Sequence, residues 1–74
     1  RLSTLTLPAG IRAVGRPLAE QALHAVGVRV VHLRRADGQI MAANDDLVLE
    51  GGDTLVLSGQ PAALALAEEK LLQG

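Results

Sequence analysis

"LEGGDTLVLSGQP", Leu49 to Pro61, holds two adjacent glycines, an acid, an alternating apolar run and a Gly-Gln-Pro stop. Thr54 to Ser58 places Leu55 and Leu57 on one face and Val56 on the other, the pattern of a half-buried strand. Before it, Glu50-Gly51-Gly52-Asp53 predicts a turn that uses the positive φ open to glycine. After it, Gly59-Gln60-Pro61 predicts the start of a closing helix, since proline suits a first helical turn. Glycines that cradle a phosphate lead from a strand into a helix N-terminus. Gly51 and Gly52 lead into a strand instead, so they and Asp53 read as a structural turn, with the Asp53 carboxylate accepting a bond from turn N–H groups.

Working outward, Leu64, Ala67 and Leu71 form an apolar stripe at helical spacing, with Glu68, Glu69 and Lys70 on the wet side. Upstream, Ser3-Thr4-Leu5-Thr6-Leu7 alternates polar and apolar side chains like a half-buried strand, and Pro8-Ala9-Gly10 ends it. Pro17 opens a predicted helix to about Val26, with Leu18, Ala22, Leu23 and Val26 inward and Glu20, Gln21 and His24 outward. Gly27 stops it. Val28 to Arg34 is apolar on both faces at its start and predicts a central strand covered by helices. Asp37-Gly38 predicts a two-residue type I′ hairpin into Gln39 to Ala42. Asn44-Asp45-Asp46 is a further turn and Leu47 to Leu49 a short extended piece. The order is β-α-β-β-(β)-β-α: an α+β fold with a small mixed sheet of four to five strands and two helices, the first and second strands being parallel across a right-handed crossover.

The 74 residues make one domain, 49% hydrophobic, without Phe, Trp, Tyr or Cys. The core is therefore aliphatic, and neither a disulfide nor a thiolate metal site supports it. A core this small is often completed by a second copy or a neighbouring domain. Seven basic against eight acidic residues, with no aromatic platform for bases, argue against a nucleic-acid partner. The longest apolar run, Ala62 to Ala67, is far short of the about 18 residues of a membrane span. The chain starts at Arg1 without Met and reads as a fragment of a longer polypeptide.

Three segments in order resemble the RCK-C, or TrkA-C, domain of bacterial potassium channels and transporters. Gly15-Arg16-Pro17-Leu18-Ala19-Glu20 is similar to the family's "G-x-x-L-x-E" opening of its first helix. Val30-Val31-His32-Leu33-Arg34-Arg35 with Asp37-Gly38-Gln39-Ile40 is similar to its strand, "R-x-G" turn and return strand. Leu49 to Gly59 is similar to "L-x-x-G-D-x-L-x-V-x-G". Ala42-Ala43 departs from the family, which often has a proline there. The style of Leu5 to Gly10 and the Ala-rich last helix resemble the tails of Kef-type monovalent cation:proton antiporters. The resemblance implies a regulatory, dimerising module at the cytoplasmic face of the inner membrane, preceded in its chain by membrane and Rossmann-like domains. It implies no cofactor in this domain. The other readings are a small-molecule sensor and a structural cap on a carrier for another solute.

No arrangement of residues supports catalysis. His24 and His32 lack a third ligand at metal spacing, the serines lack a base and a nucleophile elbow, and Asp45-Asp46 and Glu68-Glu69 are chain neighbours that define no cleft. The chain is expected not to be an enzyme and to hold no metal. Arg34 and Arg35 are adjacent strand residues and point to opposite faces. Some members of the family bind cyclic dinucleotides between two domains. By that resemblance Arg34, Arg35 and Asn44 are the candidates for a ligand here, and solvated edge charges are the plainer account of both arginines.

Overall fold

The computed structural model describes residues 1–74. Its elements are β1 (Leu2–Thr6), two short 3₁₀ segments (Leu18–Gln21 and Leu23–Val26), β2 (Arg29–Arg34), β3 (Ile40–Met41), β4 (Thr54–Ser58) and α1 (Pro61–Leu71). The strands form one sheet in the order β1-β4-β2-β3. The α+β class stands, with one difference in the sheet. β1 and β2 run in the same direction, as a crossover requires, but β4 lies between them and pairs antiparallel with both. Every hydrogen-bonded pair is therefore antiparallel, and the sheet is not mixed.

One face of this sheet is covered. Leu55 and Leu57 of β4, both fully buried, meet Leu33 of β2, Leu64, Ala67 and Leu71 of α1, and Leu18 and Leu23 of the 3₁₀ segments in a single aliphatic core. The other face is bare. Register places Thr6, Thr54 and Arg34 in one row across it and Thr4, Val56 and His32 in another, with Ile40 opposite Arg34. The central strand covered on both faces is thus not found: β2 buries Leu33 alone, and its Val31 sits in a bulge, set out of register and partly exposed.

The first helix is corrected to two 3₁₀ segments broken at Ala22, which has φ 49° and ψ 42°. Leu18 and Leu23 are both buried, yet residues five apart in an α-helix point about 140° away from each other. The left-handed break at Ala22 brings both onto the core. It also turns Gln21 inward, where the helical pattern put it outside. Backbone bonds from Leu18 N–H to Leu47 C=O and from Ala19 N–H to Asp45 C=O pin the start of this region to the 45–47 loop.

The hairpin between β2 and β3 is also not type I′. Gly38 alone has positive φ, Gly38 N–H bonds Arg35 C=O, and Arg35 N–H bonds Gln39 C=O. This is a three-residue loop closed by a left-handed glycine. The Asp37 carboxylate accepts the Gln39 N–H at 3.0 Å, a local bond that suits an Asp with ordinary φ. β3 shrinks to two residues, and the fifth strand to a single bridge between Pro17 and Val48.

Candidate functional site

The turn quoted at the outset lies where three segments meet. Asp53 N–H bonds Glu50 C=O and Gly52 has φ 89°, the geometry of a type II turn. Gly52 N–H and Leu7 C=O bond at 2.7 Å, as do Leu7 N–H and Asp53 C=O, which ties the turn to the end of β1. A Cβ on Gly51 would stand 3.2 Å from Ala9 Cα, and one on Gly52 would stand 3.0 Å from Ala36 Cβ. The two glycines therefore serve different needs: Gly51 has ordinary φ and permits close approach, whereas Gly52 supplies positive φ as well.

Asp53 is completely buried. Its Oδ2 accepts the Glu50 N–H at 2.8 Å and Nη1 of Arg35 at 2.6 Å. The same Nη1 donates to Val48 C=O at 3.0 Å and lies 3.5 Å from Glu50 Oε2. The Arg35 side chain is 14% exposed. Its guanidinium is thus engaged inside the molecule, neutralising a buried carboxylate and joining the hairpin to the turn.

Arg34 behaves differently. It is exposed on the bare face, opposite Ile40 on one side and Thr54 on the other, and none of the three ion pairs in the chain includes it. It borders an open concavity of about 470 Å3 with Asp37, Gly38, Gly52 and Thr54. Asn44 is exposed in the loop after β3, its backbone bonded to Ala42 and Leu47. Its neighbours Ala43 and Asp45 line a separate, mostly apolar cleft of about 190 Å3 with Leu18, Leu23, Val28 and Val30. Arg34 and Asn44 thus share no concavity within one chain. The apolar cleft was not evident in the sequence, because its wall depends on the break at Ala22, and no residue type there signals one.

No three His, Asp or Glu side chains cluster as a metal would need, and no helix is long and apolar enough to cross a membrane. What the fold and site define is a small aliphatic α+β module that joins its hairpin to its turn through the buried Arg35–Asp53 pair and leaves one sheet face open. The TrkA-C domain family matches residues 2–72, and the chain belongs to that family of regulatory domains, also called RCK_C. No curated protein matches it. Among solved structures it is similar to the RCK_C domain dimer of S. agalactiae BusR in complex with c-di-AMP, with a TM-score of 0.80 at 17% identity over 95% of this chain and 93% of that one. It is equally similar to S. agalactiae BusR in complex with its busAB-promotor DNA, of which it covers 35%, again with a TM-score of 0.80 and 17% identity. These two likenesses are likenesses of fold.

Proposed function

We propose that this chain is the cytoplasmic regulatory domain of a monovalent cation transporter of the cation:proton antiporter type, in which two copies pair and a cyclic dinucleotide bound between them sets the pairing geometry. Arg34 carries the reading: an unpaired guanidinium on an uncovered sheet face, beside exposed Ile40. Such a fork suits a bridging phosphate, and an aliphatic surface suits the face of a base where no aromatic residue is available. The S. agalactiae RCK_C dimer, solved with c-di-AMP, supports both the pairing and the ligand class. Asn44 would reach the ligand from the partner copy, since it shares no concavity with Arg34 in its own chain. Arg35 would act through Asp53 and not by touching the ligand.

Regulation would follow from differential affinity. A ligand that binds one dimer geometry more tightly than another shifts the transporter's population by that difference and no more. In this reading the module performs no chemistry, and membrane and Rossmann-like domains precede it in the longer protein. DNA is not among the proposed partners: the chain has a net charge of -1 and no aromatic residue, and the DNA-bound BusR chain extends well beyond the part resembled.

Calorimetric titration of the intact protein with c-di-AMP tests the proposal. Saturable binding is expected, weakened roughly tenfold or more by Arg34→Ala, the loss of a charge-assisted bond. Absence of binding to both c-di-AMP and other cyclic dinucleotides, or an unchanged affinity in Arg34→Ala, would sink it.

A further inference from the structure

A second polar cleft, of about 290 Å3, shares no residue with the Arg34 concavity. It lies between the turns that follow β1 and the end of α1, and Arg12, Arg16, Glu20, Gln21 and Lys70 line it. Three cations thus converge on one hollow from distant parts of the sequence. Arg12 is fixed there by its own backbone, whose N–H bonds Gln73 C=O at 2.9 Å just beyond α1. Neither Arg12 nor Lys70 has an ion-pair partner. The single acid, Glu20, meets Arg16 at 3.2 Å, but both side chains are about half exposed. A pair so solvated contributes about 0–1 kcal/mol and opens readily.

Gln21 supplies an independent observation. Its side-chain amide bonds to nothing in the chain, although the residue is only 8% exposed and lines this cleft. The amide's polar atoms are not closed off from solvent, so they are open to a partner that enters the cleft. Its NH₂ is a donor, as are the two guanidinium groups and the ammonium around it. A planar monoanion such as a carboxylate is satisfied by one arginine fork. Donors arriving from several directions, with up to three positive charges against one negative, match a tetrahedral dianion better.

We infer that this cleft is a binding site for the phosphate group of a small molecule, separate from the ligand site proposed at Arg34. The site is tested by titrating the intact protein with inorganic phosphate, pyrophosphate and acetate, reading backbone amide shifts. Saturation at or below about 1 mM is expected for pyrophosphate, with shifts at Arg12, Ala13, Gln21 and Gln73. Arg12→Ala with Lys70→Ala should weaken it roughly tenfold or more, and Arg34→Ala should leave it unchanged. Arg12→Gln alone, which keeps the stem packing, gives the same reading if the double variant unfolds. No saturation, equal binding of acetate, unchanged binding in the Arg12 variants or loss of binding in Arg34→Ala would each overturn the inference. Failure of c-di-AMP to bind would leave this result standing, because the two sites share no residue.

Discussion

Nη1 of Arg35 stands 2.6 Å from Oδ2 of Asp53, a carboxylate with 1% of its side chain exposed. Removing one partner of a buried pair leaves an uncompensated charge and costs about 3–5 kcal/mol. In a domain of this length each kcal/mol moves Tm by about 4–8 °C. Arg35→Ala is therefore expected to lower Tm by more than about 10 °C or to abolish the folded state. Arg34→Ala, one residue away but unpaired and exposed, should stay within about 0.5 kcal/mol of the parent. Thermal melts followed by circular dichroism decide this, and equal, small shifts for both would show that the pair contributes little.

The same joint predicts an order among glycine variants. Gly38 and Gly52 both have positive φ, so alanine is strained at either, by about 1–2 kcal/mol. At Gly38 the new Cβ enters open space, whereas at Gly52 it meets Ala36 Cβ at 3.0 Å. Gly52→Ala should be the more destabilising of the two in urea, with the hairpin displaced from the turn. A reversed order would mean that Ala36 gives way freely.

Ala22, the one non-glycine residue with positive φ, makes the break that lets Leu18 and Leu23 share the core. A β-branched side chain resists this conformation more than alanine does. Ala22→Val is expected to cost about 1–3 kcal/mol, while Ala22→Gly should fall within about 0.5 kcal/mol of the parent. In Ala22→Gly the relief of strain offsets the added freedom of the unfolded chain. Equilibrium unfolding of both variants checks it: a valine tolerated as well as a glycine would show that the region does not need the left-handed turn.

Ala22 also marks where sequence legibility ends. The strand Thr54–Ser58, the Pro61 helix start and the stripe Leu64, Ala67, Leu71 were readable because each rests on local periodicity and punctuation. The 3₁₀ break was not, because nothing in Leu18 to Val26 disfavours an α-helix; burying Leu18 and Leu23 together is a tertiary demand. Likewise β2 looked apolar on both faces, but a bulge at Val31 and the lack of a second helical layer leave one face bare. Arg34 and Arg35 were legible as a pair on opposite faces. Which of them was engaged depended on Asp53, 18 residues from Arg35, and no spacing rule links them. Gln21 was not legible either, because the helical pattern leaves it outside and only the break at Ala22 turns it inward.

Ile40 is 59% exposed and stands opposite Arg34 at the β3 edge, on the bare face. Edge strands with exposed apolar side chains invite pairing with another chain, and here the edge is two residues long with no lysine or proline to blunt it. If the proposed dimer closes over this face, a charge at that position must be desolvated on association but remains in water in the monomer. Ile40→Glu should then reduce the sedimenting mass of the intact protein's dimer fraction by at least tenfold in association constant, roughly 1.4 kcal/mol or more, and should abolish binding of c-di-AMP in parallel. Its thermal melt at low concentration should match that of the parent, because the side chain contributes nothing to the core. Sedimentation equilibrium across concentrations measures the first effect and calorimetry the second; an undiminished dimer in Ile40→Glu would move the interface away from β3.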